Sequence, residues 1–154
     1  MLQDKIMDTI KYRLIEKCLQ MLNERADNAK KAMDDLQQSA NEYGLPKDRY
    51  DSFRAQVLRK RDLFAEQYQK SMDEIELIKK INPSKQSEKV EFGSLVITNK
   101  QKLFVSISLG KIELENEQFY AISTQVPIFK AIQNRKTGDK FEFNGNKFEI
   151  LEIN

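Results

Sequence analysis

Apolar residues in the first half of the chain recur in alternating steps of three and four. The series pauses between Tyr43 and Val57, where Gly44 and Pro46 interrupt it. Such spacing lines up apolar side chains along one stripe of a helix and is typical of a coiled-coil seam. We therefore predict a long antiparallel helical hairpin over residues 1–82, with its tip near 43–52. The seam runs through Ile15, Leu19, Leu22, Ala26, Ala29, Met33, Leu36, Ala40 and Tyr43, then Val57, Phe64, Tyr68, Ile75 and Ile78, with polar Arg61 and Ser71 at intervening seam positions.

The period changes to two in the second half. Residues 83–90 are predicted to be a linker, because the stretch NPSKQSEK at 82–89 has no apolar residue. Short runs rich in Val, Ile and Phe then predict strands between 91 and 154, and Asn144-Gly145 marks a hairpin. Residues 126–136 open with Pro127 and predict one short helix. The fold class is therefore α+β, with a helical hairpin followed by a small, mostly antiparallel sheet domain.

The composition excludes several kinds of catalytic and ligand-binding site. The chain has 32% charged residues but a net charge of only +2, so bulk charge does not drive nucleic-acid binding. It has no His and one Cys, which excludes Ser-His-Asp triads, Cys-His pairs and Cys/His zinc sites. No glycine-rich phosphate loop occurs. No apolar run approaches the ~20 residues of a membrane span, and the N-terminus is charged throughout, so we expect a cytoplasmic protein without membrane contact.

The C-terminal segment VPIFKAIQNRKTGDKFEFNGNKFEILEI resembles the end of the bacterial Gre transcript-cleavage factors. That family reads S-P-I-x-x-A-L-x-G-K-x-x-G-D-x-V, then a hairpin, then E-I-L-x-I. The matching positions are Pro127, Ile128, Ala131, Ile132, Lys136, Gly138, Asp139 and 149–153. Residues 93–96, GSLV, resemble the family's entry strand F-G-S-x-V.

The resemblance implies an FKBP-like second domain that docks on RNA polymerase, and a hairpin that enters the polymerase secondary channel. Tip carboxylates would help hold a Mg²⁺ shared with polymerase, which then cleaves backtracked RNA. The chain would thus be an accessory factor and not an enzyme, with no cofactor of its own. The docking loop would be Val126, Pro127 and Ile128, of which Val126 replaces the family's Ser.

The family tip reads G-D-x-x-E-N, and this chain aligns with it in two ways. Without a gap, Leu45 replaces the aspartate and Asp48 takes the place of the glutamate. With three extra residues, Asp48 and Asp51 reproduce the spacing of the two acids, and this alignment is preferred. Helix capping explains the same pair without catalysis, with Asp48 as N-cap and Asp51 in the first turn. Arg49 between them would compete with Mg²⁺ or neutralise the pair.

Four basic residues follow the tip. Arg54, Arg59, Lys60 and Arg61 would contact phosphates of the nascent RNA, or form a solvated helix face. Asp34, Asp35 and Glu42 are interpreted as solvated surface, and Tyr43 as core.

Several functions stay open at this stage. The leading prediction is stimulation of RNA cleavage, and the alternative is a regulator of the same fold that occupies the channel without cleavage. A peptidyl-prolyl isomerase and a coiled-coil adaptor are further possibilities. The hairpin favours a monomer, although a heptad seam can also be satisfied between chains.

Overall fold

Two long helices make up the N-terminal part of the protein. The computed structural model describes residues 9–154, so the first eight residues of the predicted hairpin lie outside the described part. Helix α1 spans Ile10–Tyr43 and helix α2 spans Phe53–Lys79. Thr9 precedes α1, and its Oγ1 accepts the amide proton of Tyr12 at 3.1 Å, as an N-cap does. At 1.5 Å per residue the helices are about 51 and about 40 Å long.

The apolar side chains of the predicted seam are buried or half-buried along both helices. In the unit formed by Gln20–Glu76, its members Leu22, Ala26, Ala29, Ala40, Val57 and Ile75 are buried. The two helices run antiparallel, since Arg61 Nη1 donates to Gln37 Oε1 at 2.5 Å and the rings of Tyr43 and Phe53 meet near the turn. The helical hairpin is therefore closed within one chain.

A second compact unit holds residues 9–19 and 77–154. Its six strands are β1 (Leu95–Thr98), β2 (Lys102–Val105), β3 (Gly110–Leu114), β4 (Glu117–Ile122), β5 (Lys140–Phe143) and β6 (Asn146–Ile153). They form one sheet in the order β3-β4-β2-β1-β6-β5. All neighbouring pairs are antiparallel except β2 and β4, which are parallel. The structure confirms the predicted α+β class, a helical hairpin with an antiparallel-rich sheet and one short helix.

The core of this unit lies between the sheet and helix α3, which spans Pro127–Ile132. Phe129 and Ile132 of α3 are buried with apolar residues of the strands, among them Val96, Leu103, Val105, Phe141, Phe148 and Ile150. Strand β2 is covered on both faces, because Leu103, Phe104 and Val105 are all almost fully buried. A continuous apolar run is typical of such a central strand.

Helix α3 is shorter than predicted. The prediction ran to residue 136, whereas the helix ends at Ile132 and Asn134 adopts a left-handed φ of 66°. The residues after it pair instead with the predicted linker. Val90 N donates to Arg135 O at 2.9 Å, and Asn134 N donates to Val90 O at 2.9 Å. This long-range pairing competes with continuation of the helix, and it buries Val90 completely.

The base of α1 contributes one thiol to the buried interior. Cys18 has no exposed surface, and burial raises its pKa to about 12. A thiol with such a pKa remains protonated at neutral pH. In the described part of the chain, neither long helix is apolar enough to cross a membrane.

Candidate functional site at the helical hairpin tip

Gly44 ends helix α1. Its amide donates to Ala40 O at 3.1 Å, and its φ of 80° turns the chain out of the helix. This left-handed conformation is the usual glycine C-cap. Leu45, which follows it, is 82% exposed. The glycine in the break is therefore required by backbone geometry.

Replacing Gly44 with alanine is expected to cost about 1–2 kcal/mol of hairpin stability, since an L-residue is strained at this φ. A Cβ built there meets no atom within 4 Å, so the cost would come from the backbone alone. Urea unfolding of the full chain measures it. Gly44→Asn is the matched control and should cost less, because asparagine tolerates this conformation. Equal losses of stability in Gly44→Ala and Gly44→Asn would show that the left-handed backbone at position 44 is not the cause.

Residues 48–51 form the turn that leads into helix α2. Asp51 N donates to Asp48 O at 3.2 Å, and Asp48 Oδ1 accepts the amide proton of Tyr50 at 2.7 Å. An aspartate at the first position of a turn commonly makes this side-chain contact. Asp48 is exposed, and no donor from residues 9–154 reaches its Oδ2 atom.

Asp51 is held differently. Its Oδ2 accepts the Tyr43 hydroxyl proton at 2.5 Å and the Lys47 amide proton at 2.7 Å. Its Oδ1 accepts the amide proton of Phe53 at 3.1 Å. The half-buried carboxylate therefore joins the last residue of α1, the turn and the first residue of α2.

These contacts shift two pKa values in opposite directions. The Lys47 amide, the Tyr43 hydroxyl and the Phe53 amide lower the pKa of Asp51 below its ordinary 3.8. The bond to Asp51 raises the pKa of Tyr43 above its ordinary 10.0. Because the Asp51 pKa is lowered on folding, its contribution to stability is present above pH 3.8 and is lost as the pH falls through the folded-state pKa. The Tyr43 contribution is complete below pH 10.0 and is lost at higher pH as the hydroxyl ionises.

Removing the Tyr43 hydroxyl should raise the pKa of Asp51. In Tyr43→Phe we expect that pKa to move towards its ordinary value but to stay below it, because the two backbone donors remain. A titration of the Asp51 side-chain carbon by NMR measures the change. Tyr50→Phe removes a neighbouring hydroxyl that does not touch Asp51, so it should leave this pKa unchanged. An unchanged pKa in Tyr43→Phe would contradict the bond.

The remaining tip residues form an exposed aromatic and cationic surface. The Arg49 guanidinium lies 4.7 Å from the centre of the Tyr50 ring, and its Nη2 donates to the Tyr50 hydroxyl at 2.5 Å. Tyr50 is 78% exposed, whereas Phe53 contacts Tyr43 with ring centres 4.6 Å apart. Arg49 therefore pairs with Tyr50 and not with either tip acid.

The capping interpretation of the two acids is wrong in its details. Helix α2 begins at Phe53 with no acid in its first turn, and the carbonyl of Ser52 accepts the first helical amide, that of Gln56. Asp48 is therefore not the N-cap of helix α2, and Asp51 does not lie in its first turn. The reason is that helix α2 begins at Phe53, later than a cap at Asp48 would require, and Asp51 accepts the Phe53 amide proton from just outside the helix.

The four basic residues behind the tip differ in exposure. Arg59 and Lys60 are exposed and Arg54 is half-buried. Arg61 is held by its contacts with Asp62 and with Gln37 across the hairpin. Arg59 and Lys60 are thus the most accessible members of the predicted RNA-contacting group.

The predicted docking loop forms the start of helix α3. Val126 is its N-cap residue with extended backbone, and exposed Pro127 follows at the first helical position. Val126 and Ile128 are half-buried against the core of the sheet domain. Pro127 is the residue of the loop that faces solvent.

The two tip acids fit a magnesium ion unequally. Mg²⁺ prefers oxygen ligands and keeps several waters, so one exposed carboxylate is enough for a shared site. Asp48 has such a carboxylate. The Asp51 carboxylate already accepts three hydrogen bonds. Within residues 9–154, no group of three or more acidic, Cys or His side chains is placed to hold a metal. The tip thus offers one available carboxylate, that of Asp48.

Sequence reasoning missed the two residues that fix Asp51. Lys47 was not singled out, and Tyr43 was interpreted only as core. A usable signal was available for Tyr43, because a tyrosine that ends an apolar seam needs a partner for its hydroxyl. The Lys47 bond comes from the backbone amide, for which the residue type gives no signal.

Solved structures similar to this chain include two Gfh1 proteins. GreA factor homolog 1 (Gfh1) of Thermus thermophilus is 16% identical, with 93% of this chain and 94% of that chain covered and a TM-score of 0.34. Thermus aquaticus Gfh1 is 19% identical, with 92% of each chain covered and a TM-score of 0.33. No family model matches the chain, and no curated protein matches it.

Proposed function

We propose that this protein is a Gre-like accessory factor of RNA polymerase that acts through the polymerase secondary channel. The observation that carries the proposal is the resemblance of residues 126–153 to the C-terminal Gre motif, in a chain whose first part is a helical hairpin. Helices of about 40 to 51 Å suit a thin probe that must reach into a channel. The protein would act in the cytoplasm, as a monomer, and would not be an enzyme alone.

In the cleaving form of this proposal, the hairpin tip brings a carboxylate to the polymerase active site. Two metal ions about 4 Å apart stabilise the attacking and leaving oxygens of phosphodiester hydrolysis, and Mg²⁺ would supply that chemistry as an ion shared with polymerase. The predicted carboxylates are Asp48 and Asp51. Both belong to the turn between α1 and α2, so the hairpin would present them at its end.

The other parts of the chain would position the tip. Val126, Pro127 and Ile128 are the proposed docking loop for polymerase, with Pro127 as its exposed member. Arg59 and Lys60, with Arg54 and Arg61 beside them, are proposed to contact phosphates of the nascent RNA. Cationic side chains contribute to such binding in a salt-dependent way, without reading sequence.

A specific observation also favours the second candidate, a regulator that occupies the channel without cleavage. Asp51 accepts three hydrogen bonds from within the tip, which leaves the carboxylate of Asp48 as the available one. A tip with a single available carboxylate would occupy the channel but would bind the shared Mg²⁺ more weakly than a tip with two.

The experiment uses stalled, backtracked elongation complexes with labelled RNA, with and without the full chain. Co-purification with polymerase and shortened RNA would support the cleaving form. Co-purification without shortening would support the channel-occupying regulator. Absence of polymerase binding would overturn both forms and favour a coiled-coil adaptor. Isomerisation of a short Xaa-Pro peptide by the protein would favour the isomerase instead.

A further inference from the structure

The two tip acids differ in how many partners they have within the protein, and this difference bears on what each can do. An ionised carboxylate accepts about four hydrogen bonds at most, and each hydrogen bond occupies a lone pair that a metal ion would otherwise use. Asp51 accepts three hydrogen bonds, two of them at Oδ2. Asp48 accepts one, from the amide of Tyr50 in its own turn. The spacing of three residues therefore does not make the two acids equivalent.

The partners of Asp51 come from three separate segments. Tyr43 closes α1, Lys47 lies in the turn, and Phe53 opens α2. Hydrogen bonds to an ionised acceptor are about twice as strong as neutral ones. A metal that took the Oδ2 atom of Asp51 would have to displace at least one of these donors. Loss of that donor would loosen the turn that presents Asp48.

We propose that Asp51 is a positioning residue that closes the tip turn, and that Asp48 is the one carboxylate the tip presents to a shared ion. The second half of this proposal rests on the proposed function. Asp51 acts through Asp48, because the carbonyl of Asp48 accepts the Asp51 amide proton within the same turn. Arg49 does not neutralise the presented acid, since its guanidinium lies on Tyr50.

The closing role is tested without polymerase, by amide hydrogen exchange in the full chain. Asp51→Asn and Tyr43→Phe should each speed exchange at the Lys47 amide by about tenfold or more, since each weakens the bonding at Oδ2. Asp48→Asn should leave that amide unchanged and is the matched control. Unchanged exchange in Asp51→Asn would overturn the closing role.

The division of roles is tested by Mg²⁺ titration of RNA cleavage or of channel occupancy in stalled complexes. Asp48→Asn should raise the Mg²⁺ concentration for the half-maximal effect. Asp51→Asn and Tyr43→Phe should lower the maximal effect without that shift, because they disturb presentation and not ligation. A shift in Asp51→Asn equal to that in Asp48→Asn would show that Asp51 is a ligand. A wild-type protein without effect on polymerase would overturn the role of Asp48, while the exchange result would still decide that of Asp51.

Discussion

Under the proposed function, Asp48→Asn is expected to weaken the effect of the protein on stalled transcription complexes by roughly tenfold or more, because loss of an outer-shell partner of a metal ligand alone costs about ten- to a hundredfold. Asparagine keeps the size of the side chain and an oxygen for the Tyr50 amide, so the turn should survive. What is lost is the negative charge presented at the end of the hairpin. The rate of RNA shortening, or the extent of channel blockage, measures the change at fixed Mg²⁺.

A matched control for Asp48→Asn exists at the end of helix α1. Glu42 is exposed, and within residues 9–154 its carboxylate accepts a hydrogen bond only from Gln38, one helical turn earlier. Glu42→Gln therefore removes the same charge from nearby. We expect its effect on stalled complexes to stay within about twofold of wild type, since exposed charges interact weakly through water. Equal losses in both variants would show that general tip charge matters, and not the carboxylate of Asp48.

Phe104→Ala is expected to destabilise the sheet domain by about 3–5 kcal/mol, because the lost ring leaves a cavity in a fully covered strand. Phe104 is completely buried in β2, between β1 and β4. Urea unfolding followed by NMR signals of the strands isolates this unit from the helical hairpin. Leu151→Ala, at a position that is 51% exposed, should cost less than about 1 kcal/mol. A small cost for Phe104→Ala would contradict the role of β2 as the central strand.

The regular elements were predictable because their patterns are local. The seam from Ile15 to Tyr43 has the period of a helix, and runs such as KFEF and KFEILEI around Asn144-Gly145 have the period of a hairpin. Helix α3 was predicted too long, because its end depends on pairing with Val90, some forty residues earlier. No pattern within residues 126–136 reports that partner.

The tip shows the same limit on a smaller scale. The spacing of Asp48 and Asp51 is visible in the sequence and drew attention to both acids. Their different environments are not visible, because the partners of Asp51 lie at 43, 47 and 53 and meet only when the turn closes. The candidate site could therefore be located from the sequence, whereas the separate roles of its two acids needed coordinates.

The buried thiol of Cys18 has a practical consequence for mapping what the hairpin tip contacts. It is the one cysteine of the chain, it has no accessible surface, and its pKa of about 12 keeps it protonated. Thiol-directed reagents react with the thiolate and need access to it, so the natural chain should resist labelling. A cysteine placed at exposed position 45 or 50 would then be the only reactive one. A photocrosslinker or a spin label attached there would report directly on what the end of the hairpin touches.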